Sequence, residues 1–274
     1  MSYYATLDNT KLYYEVRGEG RPVVFIHGWT CSTEFFAPVV EVLRNKYKCI
    51  SYDHRGHGAS SVPNGGYTIT QLGKDLRELI EYLDLKDVVL VGHSMGAATV
   101  FSYVSQFGCD RIYKIVLLDM SPRVVNDDTW KAGLLSGKYT MANYMEDMEE
   151  MGQSIVEFMW KFWKFVLPDF AAIPETMKEL VAPGLLGVNN PHALTCLWHS
   201  MIHVDYRKDI KKITVPTAYF LPDYPLYPRA TAEFIRDNAS AAVKIVDFQK
   251  CTHMIASEYP EKTAKEIDDF IKES

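Results

Sequence analysis

The strongest constraint in the sequence is the pentapeptide Gly92-His93-Ser94-Met95-Gly96, read together with its flanks. The apolar, β-branched run Val88-Val89-Leu90-Val91 leads in, and the small-residue stretch Ala97-Ala98-Thr99-Val100-Phe101 leads out. That order predicts a strand, a sharp turn and a helix. In a G-x-S-x-G turn the serine takes a strained conformation at the tip, with its hydroxyl above the sheet. A Cβ at position 92 or 96 would collide with the neighbouring strand or helix. Ser94 also falls at a helix N-terminus, where free N–H groups and the helix dipole favour developing negative charge. Ser94 is therefore the candidate nucleophile. The bland alternative, an ordinary serine in a tight turn, is weakened by the strand–helix context and by a histidine late in the chain.

The rest of the chain repeats the alternation. Tyr3 to Leu7 and Leu12 to Val16 read as a hairpin, and Pro22-Val23-Val24-Phe25-Ile26 as a strand buried on both faces. A helix is expected over about 32–45, a strand over 49–52, and a helix whose apolar face is Leu72, Leu76, Leu79, Ile80 and Leu83. Ile115-Val116-Leu117-Leu118 is a further buried strand. The rhythm breaks from about Arg123 to Arg207, a helical stretch rich in Met, Trp and Phe. It resumes with a strand at 214–221, a helix at 229–237, a strand at 243–248 and a helix from Pro260. The expected fold is α/β: a doubly wound, mostly parallel eight-stranded sheet, with residues 1–122 and 208–274 as core and 123–207 as an inserted helical cap.

A serine hydroxyl is a poor nucleophile until a base sits within hydrogen-bond reach and an acid orients that base. Of the eight histidines, His253 follows the last strand on the carboxyl edge of the sheet, where doubly wound folds bind ligands. Its order after Ser94 also suits it as the base. His93 is expected to point away from the hydroxyl, and His54 and His57 to pack their loop without forming a zinc site. An oxyanion hole needs two backbone N–H groups. Met95, the residue after the nucleophile, should supply one, and Trp29 in His27-Gly28-Trp29 the other.

His27-Gly28-Trp29, Asp53-His54-Arg55-Gly56-His57-Gly58-Ala59-Ser60, Gly92-His93-Ser94-Met95-Gly96 and His253 together resemble the α/β-hydrolase superfamily. The likeness covers roughly 20–120 and 210–274, and is nearest to the small esterases and the non-haem chloroperoxidases or perhydrolases. Ser121-Pro122-Arg123 with Asn126-Asp127 is also similar to hydrolase-like signalling receptors. The resemblance implies a Ser–His–acid triad. Most relatives carry the acid after the strand that follows the cap, in a Gly-x-x-Asp-x-x-x-Pro setting. Here the run is Leu221-Pro222-Asp223-Tyr224-Pro225-Leu226-Tyr227-Pro228, without the glycine and with Tyr224 at the usual acid position. Two acids remain open: Asp119, at the tip of the strand beside the nucleophile strand, as in some esterases and dehalogenases, and Asp223. Asp119 is preferred. Asp53 reads as a loop anchor. A serine at the elbow sets the chain apart from the dehalogenases and epoxide hydrolases that use aspartate there.

Composition limits the rest. Net charge is −6 without a basic patch, so no nucleic-acid partner is expected. No apolar run suits a membrane span or a leader, and the five scattered cysteines suit reduced thiols, so a cytoplasmic monomer or homodimer is expected. No phosphate loop, G-x-G-x-x-G or metal spacing is present, and no cofactor or metal is expected. The aromatic run over 157–166 exceeds what one helix can bury on a single stripe, so part of it should line a pocket. Trp29, Trp160, Trp163 and Met254 are the candidate substrate-binding residues. The expected activity is a serine carboxylester hydrolase acting on small to medium hydrophobic or aromatic acyl esters. Perhydrolase, lactonase, thioesterase or carbon–carbon hydrolase chemistry, or a slow-turnover ligand receptor, are the rivals.

Overall fold

The computed structural model describes residues 2–273. Eight strands form one sheet: β1 (Ser2–Ala5), β2 (Lys11–Arg17), β3 (Pro22–Ile26), β4 (Lys48–Tyr52), β5 (Val88–His93), β6 (Ile112–Leu118), β7 (Thr217–Tyr224) and β8 (Val243–Thr252). Their spatial order is β1-β2-β4-β3-β5-β6-β7-β8. β2 runs antiparallel to β1 and β4, and the pairs from β4 onward are parallel. The doubly wound, mostly parallel α/β sheet is the architecture the strand–helix alternation predicts.

Alternation along the buried strands sorts the core into two layers. Val88 and Leu90 pack on the face covered by α2 (Ile69–Tyr82) and α3 (Met95–Phe107). Val89 and Val91 pack on the other face, with α1 (Ala37–Leu43) and the C-terminal helix, whose Ile267, Phe270 and Ile271 belong to that layer. Two buried cations tie elements together. Arg55 donates to both Asp75 oxygens at 2.6 and 2.7 Å and to Asp8 at 2.8 Å, joining the loop after β4 to α2 and to the first hairpin. The Lys114 ammonium donates to the carbonyls of Phe270 and Glu273 at 2.8 and 2.6 Å, filling acceptors that a helix C-terminus leaves open.

Three local expectations shift. The helix expected from 32 begins as a tight 3₁₀ turn, Thr33–Phe36, and becomes α-helical only from Ala37, because Pro38 belongs in a first turn. The strand expected at 214–221 lies at Thr217–Tyr224. The strand expected to end at 248 continues to Thr252, because β7 and β8 go on pairing past an irregularity, with Tyr224 opposite Thr252.

Between β6 and β7 the chain leaves the sheet. This excursion contains α4 (Met141–Val166), α5 (Lys178–Leu186) and α6 (Pro191–His203). Its two ends meet: Arg123 and Asp205 form an antiparallel bridge, and the Tyr206 N–H donates to the Pro122 carbonyl at 2.9 Å. α4 is interrupted at Ser154, which is extended (φ −161°, ψ 110°), and the Ser154 hydroxyl caps the following turn by accepting the Glu157 N–H. After β7 come α7 (Arg229–Asn238), β8 and α8 (Pro260–Lys272).

Candidate active site

The elbow is built by steric necessity. An added Cβ at Gly96 would lie 2.0 Å from the Ile26 carbonyl oxygen, and one at Gly92 2.7 Å from the Gly96 oxygen. Only glycine lets β3, β5 and α3 approach this closely. The turn holds Ser94 at φ 52°, ψ −120°, as the N-cap of α3. Its side chain opens into a cavity at the carboxyl edge of the sheet.

His253, just past β8, lines the same cavity. Its Nδ1 lies 2.7 Å from Asp119 Oδ2, and both side chains are buried. A carboxylate only accepts, so Nδ1 carries the proton and Nε2 is left as a lone pair. Asp119 follows β6 in the left-handed region (φ 42°), and its Oδ2 also accepts the Leu226 N–H at 3.0 Å. His93 reinforces the loop that carries His253: its Nε2–H donates to the His253 carbonyl at 2.9 Å, while its ring stacks on Phe35 at 4.4 Å. Burial holds His93 well below the ordinary histidine pKa, which keeps it a neutral donor.

Trp29 joins the loop after β3 to the helical excursion. Its indole N–H donates to the Leu194 carbonyl at 2.9 Å, and its ring packs on Trp198 at 5.1 Å. Among the described residues, neither the Trp29 nor the Met95 backbone N–H has an acceptor. The other cavity walls are apolar: Phe162, Trp163, Trp198, Met201 and Leu226, with Tyr227 beside them. The cavity as it stands has an open volume of about 30 Å³. That is room for a very few waters.

The remaining candidates sit elsewhere. Asp223 lies on the exposed end of β7, where its carboxylate accepts the Lys250 N–H at 2.7 Å; the carboxylate beside His253 is that of Asp119. Trp160 is not in the cavity wall. It turns into the excursion, packing on Phe170 at 5.1 Å and donating its indole N–H to Glu175 at 3.0 Å. Helical geometry explains this: positions 158 and 162 share a face, and 160 lies on the far side of it. Met254 borders a different groove, with Tyr224 and Phe170, because the chain turns away directly after His253. His54 and His57 are buried with His27. The His54 N–H donates to His27 Nε2 at 3.0 Å, and His54 Nε2–H to the His27 carbonyl at 3.2 Å. Asp53 accepts the Thr33 and Ala59 N–H groups at 2.7 and 2.8 Å, anchoring its loop. Sequence reading does not single out Leu226 or Tyr227. The flanking Pro225 and Pro228, which stiffen that loop, are the signal that points to them.

A sequence profile of the alpha/beta hydrolase fold family matches residues 21–150. Over 225 residues the chain is 28% identical to the non-heme chloroperoxidase CPO-A1 of Kitasatospora aureofaciens, covering 79% of this chain and 78% of that protein. An esterase from Exiguobacterium antarcticum superposes with a TM-score of 0.87 at 25% identity, covering 99% of each chain. A bromoperoxidase from Bacillus anthracis does so with a TM-score of 0.86 at 26% identity, covering 99% of this chain and all of the other. The chain belongs to the α/β-hydrolase superfamily. Its relatives place it on the chloroperoxidase-like branch of that superfamily, a group of hydrolytic enzymes. Among the described residues of this hydrolase, no helix is long and apolar enough to cross a membrane, and no three histidine, cysteine or carboxylate side chains converge as a metal site.

Proposed function

We propose that this hydrolase is a serine carboxylester hydrolase working through an acyl-enzyme on Ser94. The supporting observation is the placement of His253 in the Ser94 cavity with its Nδ1–H on buried Asp119 at 2.7 Å. In this reading His253 Nε2 takes the Ser94 proton as the oxygen attacks the ester carbonyl, and Asp119 stabilises the imidazolium that forms. The free Trp29 and Met95 N–H groups receive the oxyanion, a contribution of about a hundred- to a thousand-fold in rate per donor. His253 then protonates the departing alkoxide. Next it takes a proton from water as the water oxygen attacks the acyl carbonyl, and returns that proton to Ser94 Oγ as the bond to Oγ breaks and the acid is released.

The apolar walls favour a small to medium hydrophobic or aromatic acyl group. In this proposal residues 123–207 act as a cap over a core of 1–122 and 208–274, with the Arg123–Asp205 bridge as its stem. Phe162 and Trp163 would have to part to admit an ester, since the cavity as it stands takes little more than water. Trp29, Trp163, Trp198 and Met201 are the proposed substrate-contacting residues.

The test is a burst assay with p-nitrophenyl acetate and butyrate on the wild type and on Ser94→Ala. The expected result is turnover by the wild type, a fall of at least about 10⁴-fold in the variant, and an acyl adduct on Ser94 in quenched samples. A wild type that leaves both esters untouched overturns the proposal. The haloperoxidase names of two relatives favour one second reading, perhydrolysis on the same residues. Hydrogen peroxide then replaces water as acceptor, giving a peracid and free Ser94. Peracid formation from acetate and peroxide, lost in Ser94→Ala, would support it.

A further inference from the structure

The wall of the Ser94 cavity is mostly hydrocarbon, so the polar side-chain groups of the residues that form it can be followed one by one. Ser94 and His253 belong to the proposed triad. The Trp29 indole N–H is committed to the Leu194 carbonyl at 2.9 Å, and His93 Nε2–H to the His253 carbonyl at 2.9 Å. His93 Nδ1 and the Trp198 indole N–H are sealed in protein. That leaves the Tyr227 hydroxyl and the Trp163 indole N–H. Among the described residues neither has a hydrogen-bond partner, and neither is fully sealed by its neighbours.

The two differ in how firmly they are held. Trp163 stands on α4, in the wall that has to part when an ester enters. Tyr227 lies between Pro225 and Pro228, and the residue before it is held at both ends: the Leu226 N–H donates to Asp119 Oδ2 at 3.0 Å, and the Leu226 carbonyl accepts the Ser136 N–H at 3.1 Å. Tyr227 is only 3% exposed, so its hydroxyl is a fixed polar point in an apolar wall. Burial, with Asp119 nearby, pushes the phenol above its ordinary pKa, and it stays an O–H at working pH. The same carboxylate disfavours a second anion beside it. A buried donor without an acceptor costs free energy, which a bound molecule offering one recovers. The partner that fits is therefore a neutral oxygen.

Resting on the acyl-enzyme reading above, we propose that Tyr227 is a specificity-determining residue whose hydroxyl donates to a neutral ether, hydroxyl or keto oxygen on the acyl chain. The substrate class is then an otherwise apolar acyl ester carrying one such oxygen, in preference to a plain hydrocarbon acyl ester. A hydrocarbon chain of the same size fills the cavity as well but leaves the phenol unpaired. Sites built around a hydrogen bond reject the isostere lacking it more strongly than apolar pockets reject a change of one methylene.

The experiment measures kcat/KM for isosteric p-nitrophenyl esters in which an ether oxygen replaces a methylene: methoxyacetate against butyrate, and 3-methoxypropanoate against pentanoate. Each value is divided by the ester's rate constant with hydroxide, which removes intrinsic reactivity. Wild type, Tyr227→Phe and Trp163→Phe are compared, with Tyr227→Met as a second replacement lacking the hydroxyl, and only variants that melt like the wild type are read. The expected result is a wild-type preference for the ether of at least about tenfold in one pair or both. It should fall to near one in the Tyr227 variants and persist in Trp163→Phe. A wild-type ratio near one in both pairs overturns the proposal. So does a preference that survives loss of the hydroxyl, as it would if Tyr227 served only the fold, or one lost in Trp163→Phe alone. A second arm needs no turnover: the same esters are titrated by tryptophan quenching into Ser94→Ala, with and without Tyr227→Phe, since Trp29, Trp163 and Trp198 line the cavity. A wild type that hydrolyses none of the esters overturns the acyl-enzyme reading, and the recognition by Tyr227 is then decided by this arm. Tighter binding of the ether, abolished by Tyr227→Phe, sustains it; equal binding of ether and hydrocarbon overturns it.

Discussion

Asp119→Asn separates the two carboxylates that the sequence leaves open. Asp119 Oδ2 accepts two N–H groups, from His253 Nδ1 at 2.7 Å and from Leu226 at 3.0 Å, and the carboxylate is fully buried. An asparagine there has one acceptor oxygen. If that oxygen takes the place of Oδ2 it keeps both bonds, and the imidazolium forms without a counter-charge. If the amide NH₂ takes that place, it faces both the Leu226 N–H and His253 Nδ1, and forces the imidazole proton onto Nε2, the nitrogen needed as base. The missing attraction between unit charges about 4 Å apart, at an effective dielectric constant of about 20, is about 4 kcal/mol. That alone corresponds to about a thousand-fold in rate. Adding the wrong tautomer brings the expected loss in kcat to about 10³–10⁴-fold, with KM little changed. The assay is steady-state hydrolysis of p-nitrophenyl butyrate, with circular dichroism and thermal melting to show that the variant folds. Asp223→Asn is the control. Among the described residues that carboxylate accepts only the Lys250 N–H, on an exposed ribbon, and its loss should leave kcat within about twofold. A folded Asp119→Asn that keeps more than about a tenth of the rate, or an equal collapse in Asp223→Asn, refutes the reasoning.

Arg55→Ala should lower unfolding free energy by about 3–5 kcal/mol in urea titrations, because it strands the buried Asp75 carboxylate; a loss under about 1 kcal/mol would show that Asp75 finds another partner or a proton. Burial pushes His27 down to about 4 and His57 down to about 3, so both stay neutral in the folded chain while the unfolded chain takes up protons below about 6.5. Stability is therefore full above pH 6.5 and lost as pH falls through the window down to those folded values, by about 4 kcal/mol for the two together between pH 8 and pH 5; a flat urea midpoint over that range would contradict it. Trp163→Ala opens the cavity beside Ser94 and should move the best p-nitrophenyl ester from short to longer acyl chains, read as kcat/KM from acetate to octanoate. An unchanged chain-length profile would place Trp163 outside the acyl path.

How much of this was legible in the sequence depended on how local the cause was. The elbow is local: two glycines, a β-branched strand and a small-residue helix fall within about fifteen residues, and each forces the same turn. The two-layer core is nearly as local, since Val88 to Val91 alternate between faces whatever lies further along. The aromatic run of α4 was harder. Its sequence says that some rings are surplus to one stripe, but which rings face the cavity depends on the break at Ser154 and on what α6 brings opposite. Phe162 and Trp163 reach the cavity, Trp160 goes to Glu175 and Phe170, and Phe165 is left in solvent.

Which carboxylate lies beside His253 was the least legible, and the structure gives the reason in strand register. A reading that ends β7 at Leu221 puts Asp223 in a loop near the sheet edge, within plausible reach of His253. In fact β7 and β8 keep pairing as far as Tyr224 and Thr252, which carries both Asp223 and the usual acid position, Tyr224, out onto an exposed ribbon. The segment after β7 still serves the proposed site, through backbone: the Leu226 N–H holds Asp119 Oδ2, and Tyr227 lines the cavity. An acid placed at the end of β6 thus needs two long-range conditions. One is a left-handed Asp119 that turns its carboxylate toward β8; the other is a loop between Pro225 and Pro228 that offers an amide where most relatives are expected to offer a carboxylate. Substituting Leu226 by alanine leaves that amide in place, whereas shortening the loop by one residue removes it. In the proposed mechanism the deletion should therefore cost far more in kcat than the substitution, although the substitution removes more apolar surface from the cavity wall.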